Sequence, residues 1–495
     1  MKKIATYLSV LVAACFLCLP AHAQSITWNT DQMLSASTEN TTTPHVAVAG
    51  DRAVAVWTQR DGSFNHVYAS YSTNRGESWS APQLIENVTT NARNPQVAMS
   101  GSKAVVIWEQ ASGSTVYSIR ANYSADGGAT WQATASPLVL NDATGWDAMH
   151  SSIAISGDRM VVVWAQSPDG NYERIYANQS DNVGASWSGP TQISSTTSTK
   201  AKSPHVAISG SNVAAVWQQE KDPATNFYLI RANASADAGV TWGTDAAVDN
   251  TPSQQSRRPQ IAVSDNAVVA VWDTEDASGW THMYSNRTSF SGGTVVWTPA
   301  NAQLLEDTAT GFYDLEAKIA MFGQNVIVVW QRWDASNHTW LQSVQSGNAG
   351  ASWSLPVTLD DSASGINRHE LIMMERYAVA IWQYDDGSLA KVRTSASFDE
   401  GESWTDPEAI DSSTLYNNFD MKIAASGDNL VSVYARYNSD PAIDRVNIYA
   451  NNASFSGGGF IVFAGEDGHC FIASTAFGSP LAGQVDILRK FRDGY

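Results

Sequence analysis

Two groups of side chains in this sequence have the chemistry to recognise or turn over a ligand. The first is aromatic. Tyr172, Trp280, Trp333, Trp340 and Tyr437 stand in short stretches rich in Asp, Asn and Gln. An aromatic face covers apolar C–H groups, while amides and carboxylates meet hydroxyl edges, a combination that suits a sugar. Packing between sheets is the competing role for each ring. The second group is cationic. Arg93, Arg258 and Arg368 open the segments Arg93-Asn94-Pro95, Arg258-Pro259 and Arg368-His369-Glu370, and Tyr313, Asp314 and Glu316 occupy a similar register in another segment. The guanidinium fork is well shaped to hold a carboxylate in two places. Arginines at strand starts also commonly form surface ion pairs.

Other chemistries find no support. The sequence has no HExxH, no Gly-x-Ser-x-Gly and no phosphate loop. Its nine His are scattered; His45 and His205 share one repeat position where Gln96, Gln260 and Lys318 stand elsewhere. That variation predicts a solvated lining, not a metal site, and neither a metal nor a cofactor is expected.

The elements that must position these residues repeat. Pro44-His45-Val46-Ala47-Val48-Ala49-Gly50 followed by Ala53-Val54-Ala55-Val56-Trp57 alternates small and β-branched residues around a glycine, the pattern of a strand hairpin. The unit returns ending at Trp108, Trp164, Trp217, Trp272, Trp330, Trp382 and Tyr434, at spacings of 51, 56, 53, 55, 58, 52 and 52 residues. A second signature follows these hairpins, its Trp about 22 residues or slightly more after the aromatic that ends the hairpin. Ser397-Phe398-Asp399-Glu400-Gly401-Glu402-Ser403-Trp404 is one copy, with Asp126 and Asp237 in two others and Asn74, Asn182 and Asn348 replacing the acid in three. Asp and Asn both satisfy the N–H groups of a tight turn, and the glycine supplies positive φ. The fifth copy, Ser289 to Trp297, is one residue longer and lacks the acid.

Each unit therefore predicts four antiparallel strands, in the first His45–Ala49, Ala53–Thr58, His66–Ser72 and Trp79–Ile85. Such units every 50–58 residues define an all-β propeller blade. The last unit lacks its fourth strand, and Ser25 to Leu34 has the pattern to supply it, so an eight-bladed β-propeller closed by an N-terminal strand is expected; seven blades and a stray hairpin is the alternative.

The flanks differ in composition. Met1 to Ala23 reads as a secretory signal peptide cut after Ala23, with a lipoprotein cut at Cys15 as the alternative. Its loss leaves Cys470 as the one thiol and moves the formal charge from −19, by two lysines, to −21. Such acidity argues against nucleic acid and anionic membrane partners. Residues 24–459 would form the propeller. Residues 460–495 would form a tail with a short helix, Ser479-Pro480 capping a face of Leu481, Val485, Leu488 and Phe491.

The Ser-x-Asp-x-Gly-x-x-Trp turns resemble the Asp-box (BNR) repeats of the sialidase superfamily, over about residues 25 to 459. The resemblance implies that Asn74, Asp126, Asn182, Asp237, Asn348 and Asp399 are structural and that function lies at the opposite mouth. It also implies a test for catalysis: three arginines on a carboxylate, an Asp acid/base and a Tyr–Glu pair, for which Arg93, Arg258, Arg368, Tyr313 and Glu316 are the candidates. The first unit lacks the family's Arg-Ile-Pro segment, and eight blades would spread a clamp built on six. Cys470-Phe471-Ile472 onward resembles the CFI-box region that ends many exported bacterial proteins, which implies processing or attachment at Cys470. The resulting expectation is a secreted or cell-surface, non-catalytic module for glycans or glycoproteins, without a transmembrane span and monomeric. An exo-glycosidase of sialidase type and a structural or adhesive module are the alternatives.

Overall fold

The second strand of every unit is apolar along its whole length, and the structure explains why. The computed structural model describes residues 25–35, 39–112, 116–142, 146–222, 224, 227–250, 254–306, 311–361, 365–411, 417–438, 445–456, 460–464 and 470–474. In the first unit Thr41–Ala49, Arg52–Asp61, Phe64–Ser72 and Gln83–Leu84 lie side by side in chain order as an antiparallel sheet. The second, third, fourth and seventh units repeat that order. The fifth and sixth do too, but one parallel pairing, Thr281 opposite Tyr313, joins them into a nine-stranded sheet. The chain is thus all-β, built of four-stranded antiparallel sheets of the propeller-blade type.

Ala53, Val54, Ala55, Val56 and Trp57 are all fully buried because this strand is covered on both faces. Trp108 packs with Val54 and Val56 of the preceding sheet, and Trp164, Trp217, Trp272, Trp330 and Trp382 repeat the contact from sheet to sheet. Trp57 makes the same contact with Val431 and Val433 of the last sheet. Each indole N–H is satisfied locally, commonly by the Gln two residues on, as Trp108 Nε1 to Gln110 at 2.7 Å and Trp164 Nε1 to Gln166 at 2.9 Å. In the eighth unit Tyr434 stands in for Trp and its hydroxyl donates to Asp31 at 2.6 Å.

That last unit, Asn417–Ser426, Asn429–Asn438 and Arg445–Ser456, takes an outer strand from the other end of the chain. Gln32 pairs with Ala450 and Met33 with Tyr449. The outer strands are shorter than the pattern predicts: only Gln83–Leu84 pairs in the first sheet, not Trp79 to Ile85. Pro82 has no N–H to give a ladder, and Ser80 instead closes onto Tyr71.

The Asp-box turns bond as their residue types require. Asp126 Oδ1 accepts from Ser124 Oγ at 2.7 Å and Thr130 N at 2.8 Å, and Gly128 N donates to Ser124 Oγ at 2.8 Å. Asn182 reproduces the arrangement with Ser180 and Ser186, and Asn74, Asp237, Asn348 and Asp399 do likewise. Burial pushes the carboxyls of Asp126, Asp237 and Asp399 up, but these hydrogen bonds outweigh it and hold them below the usual range.

The box glycine has a second duty that the sequence does not announce. It lies flat against the second strand of the preceding sheet. A Cβ on Gly184 (φ +80°) would stand 2.6 Å from Val105 Cγ2, on Gly128 2.8 Å from Val54, on Gly239 2.9 Å from Val161, and on Gly401 2.9 Å from Ile327. Gly76 approaches Val431 of the last sheet at 3.2 Å in the same way. Gly184→Ala is therefore expected to cost about 2–4 kcal/mol, combining left-handed strain with overpacking. Gly210→Ala, also at positive φ (+60°) but with nothing within 4 Å, should cost only about 1 kcal/mol. Urea midpoints measure both; equal losses would remove the seam contact as the cause.

A separate compact unit contains the hairpin Phe460–Ala464 with Cys470–Ser474, in which Cys470 pairs with Ala464. The helix expected over residues 479–493, the leader 1–23 and the glycines 457–459 lie outside the described residues.

Candidate functional site

Every first strand carries a β-bulge near its start, and none was predicted. The register slips between Thr42 and His45, Arg93 and Gln96, Met149 and Ser152, Lys202 and His205, Arg257 and Gln260, Leu315 and Lys318, Asn367 and His369, and Phe419 and Lys422. At each slip one non-glycine residue is left-handed: Thr43, Asn94, His150, Ser203, Arg258, Glu316, Arg368 and Asp420, with φ between 41° and 59°. A bulge re-aims the strand it interrupts, and held strain of this kind marks positions that the surroundings over-determine.

All eight first strands contribute to one cavity of about 670 Å³ next to these bulges. Its wall carries His45, Gln96, Ser152, His205, Gln260, Lys318, Glu370 and Lys422, one per unit. Glu370 is flanked by Lys318 at 3.4 Å and by Lys422. Burial pushes the Glu370 carboxyl up, yet the two lysines outweigh it and bring it down to about 2. His45 is pushed down to about 3 by burial and then by the charge on Lys422. His205 goes to about 4 through burial, Lys318 and Lys422, and His369 to about 4 through burial and Lys318. His45 and His205 are part-exposed, but to cavity space whose walls still deprive them of bulk water, and His369 is buried. The lining is polar, as expected from the mixture of His, Gln and Lys, and its imidazoles are neutral at pH 7.

This has a consequence for stability. A His whose folded pKa lies below its unfolded value takes up a proton in the unfolded chain first, so the folded state loses ground as pH falls. From the values above, the loss begins near pH 6.5 and is complete for these groups by about pH 3. Glu370 adds to it below about pH 4.5, down to about 2. The melting temperature should fall steadily from pH 6.5 to 4. His45→Gln, which places there the residue that Gln96 and Gln260 already are, should flatten that slope without lowering the pH 7 value by more than a degree or two. A slope equal to the parent's would show that His45 does not carry it.

The three arginines do not converge. Arg93 Nε donates to Glu109 at 2.7 Å, and its guanidinium lies 3.6 Å from the Tyr117 ring centre. Arg258 binds Asp273 through both Nε (2.8 Å) and Nη2 (2.9 Å). Arg368 lines the cavity but is paired with Asp420. Glu316 also lines the cavity, whereas Tyr313 packs on Trp280 with ring centres 4.7 Å apart. Among the described residues no group of three or more His, Cys, Asp or Glu side chains is placed to hold a metal ion.

The aromatic candidates are partly gathered. Trp280 and Trp333 both neighbour Tyr313 on the joined fifth and sixth sheets, Trp340 pairs with Arg332 on the opposite face of the sixth, and Tyr172 belongs to the third and Tyr437 to the eighth. Two like loops hold the first group. Asp276 Oδ1 accepts from Ser278 N (2.7 Å) and Trp280 N (3.0 Å); Asp334 Oδ1 accepts from Ser336 N (2.8 Å) and His338 N (2.9 Å). Tyr313, 37% exposed, pairs in register with Trp333 and packs on Trp280. Phe312, Trp340 and His338 form a second run, with ring centres 6.0 and 6.3 Å apart. Phe312, His338 and the 47% exposed Trp146, which lies over Gly170, were not singled out from the sequence.

A buried polar network fixes this shelf from below. Arg332 holds Asp314 at 2.8 and 3.1 Å and also Glu306, Trp330 Nε1 donates to Asp314 at 2.6 Å, and His282 Nδ1 meets Glu306 at 2.6 Å. Burial, then the adjacent Asp314, pushes the Glu306 carboxyl up, against the opposing pull of the Arg332 guanidinium.

No family model and no curated protein matches the chain. Among solved structures it is similar to Trypanosoma rangeli sialidase in complex with the inhibitor DANA, at 11% identity and TM-score 0.39, covering 75% of this chain and 56% of that one. It is also similar to the GH93 α-L-arabinofuranosidase of Fusarium graminearum with arabinobiose, at 9% identity and TM-score 0.38, covering 67% and 97%. A polysaccharide lyase of the PL25 ulvan lyase family matches at 8% identity and TM-score 0.47, covering 75% and 95%. No helix among the described residues is long and apolar enough to cross a membrane.

Proposed function

We propose that this chain is an eight-bladed propeller, secreted or displayed at the cell surface, that binds glycans or glycoproteins without cleaving them. The observation that carries the binding reading is the shelf of Trp280, Tyr313 and Trp333, flanked by two carboxylate-pinned loops. Rigid aromatic faces flanked by polar groups suit a carbohydrate. The blade count is supported by the one cavity that draws on all eight first strands, and closure by the packing of Trp57 and Gly76 on the last sheet. The non-catalytic reading is supported by the separate carboxylate partners of Arg93, Arg258 and Arg368, which leave no shared clamp. The test is a glycan array with the mature chain, followed by titration of the strongest ligand. Binding by the parent and its loss in Trp280→Ala supports the reading. An empty array, or turnover of a fluorogenic sialoside between about pH 4 and 8, overturns it.

A further inference from the structure

The defect in the fifth Asp box opens a pocket that the intact boxes close. In the second, third, fourth, sixth and seventh units the box glycine comes within 2.6–3.4 Å, measured to an added Cβ, of a Val or Ile on the preceding sheet. In the fifth unit the longer, acid-free turn folds instead as a hairpin, Phe290 opposite Val295 and Ser291 opposite Thr294. Phe290 and Trp297 go into the core, and Gly293 stops short of the fourth sheet, 3.8 Å from Ala236. The space left is about 480 Å³, shared between the fourth box and the fifth hairpin. That volume is in the range of small-ligand pockets.

Its wall has one aromatic side and one polar side. Trp242 and Trp297 with Val295 supply apolar surface, and Asp237, Thr241 and Thr244 supply acceptors and hydroxyls. Trp242 is fixed in place by its Nε1 bond to Gly239 O at 3.1 Å. Asp237 is anchored by Ser235 Oγ at 2.7 Å and by Thr241 N and Oγ1 at 2.8 and 2.6 Å. It is the single charged side chain among the described residues that line the space. Arg159 shares a neighbouring cleft with Asp237 but does not line this one, so the charge facing the space is negative and disfavours an anion. We infer that this pocket, on the Asp-box side and distinct from the shelf, is a subsite for a neutral sugar, with acidic sugars excluded.

The inference does not depend on the shelf, and the experiment keeps the two apart. Lactose, cellobiose, maltose and chitobiose are titrated separately, with glucuronic acid as the acidic counterpart, and binding is read by saturation-transfer NMR and by tryptophan fluorescence. Ala236→Phe fills the pocket without removing a polar group; melting temperature checks that it is folded. A second variant, Ala246→Met, fills it from another wall. At least one neutral disaccharide should bind, weaken tenfold or more in either filled variant, and keep its affinity within threefold in Tyr313→Ala. Glucuronic acid should not bind in the pocket. The inference is overturned if no neutral disaccharide binds at about 10 mM, if both filled variants bind as the parent does, or if glucuronic acid competes.

Discussion

Replacing Asp31 by Ala is expected to lower the stability of the chain by about 3–5 kcal/mol, the largest loss predicted for any single polar residue here. Asp31 lies just ahead of the N-terminal outer strand, and its carboxylate, 3% exposed, is the meeting point of three groups from the last sheet. Tyr434 hydroxyl donates to it at 2.6 Å, Arg436 Nη2 at 2.6 Å and Asn451 Nδ2 at 3.0 Å. The Arg436 side chain is itself only 7% exposed, with Asn418 as a further partner at 2.8 Å. Truncating Asp31 thus leaves a buried guanidinium without its counter-charge, which costs more than the pair contributes. It also loosens one of several attachments that join the N-terminal outer strand to the last sheet, between residues more than 400 apart in sequence. Urea unfolding measures the loss. Asp51→Ala, at a 75% exposed side chain, should change stability by less than about 0.5 kcal/mol. Asp31→Asn, which keeps the acceptor but not the charge, should fall between the two. A loss below about 1 kcal/mol for Asp31→Ala would mean that the N-terminal strand is not held through this carboxylate.

The second large effect concerns binding. Trp280→Ala should weaken the strongest glycan identified on the array by about thirtyfold or more, the scale of a hot-spot aromatic. Two losses add up: the indole face itself and the support it gives Tyr313, whose ring stands 4.7 Å away. Isothermal titration reads the affinity, and the melting temperature separates binding from folding, since Trp280 is only half-buried. Tyr172→Ala and Tyr437→Ala, on the third and eighth sheets, should change the same affinity by less than about threefold. If either of those weakens binding as strongly as Trp280→Ala, the ligand spans several sheets and the shelf is not its site.

Some of the ion pairing that separates the arginines was legible in principle. Arg258 and Asp273 flank a hairpin turning at Asp265 and Asn266, and counting outward from that turn sets them opposite each other, where Arg258 does bind Asp273. Arg93 with Glu109 follows from the same count in its own hairpin only when it is shifted by one residue for the bulge. The bulges themselves were not legible, because the left-handed position carries Thr, Asn, His, Ser, Arg, Glu or Asp and no glycine marks it. Nor was the shelf, since Tyr313 sits beside a stretch of ordinary alternation and only the parallel pairing at Thr281 brings it to Trp280.

The amino-acid sequence alone determined the strands, their hairpins and the turns between them. These depend on period-two alternation and on the local hydrogen bonds of Ser, Asp, Asn and Gly, which act within a few residues. Tertiary structure decided which faces meet. The seam against which Gly184 lies, the pairing of Arg368 with Asp420, and the cavity shared by Lys318, Glu370 and Lys422 join residues about 50 or more positions apart. Such contacts arise only when sheets pack, because sheet packing is set by the volume and charge of facing side chains and no local pattern encodes which sheet will be the neighbour.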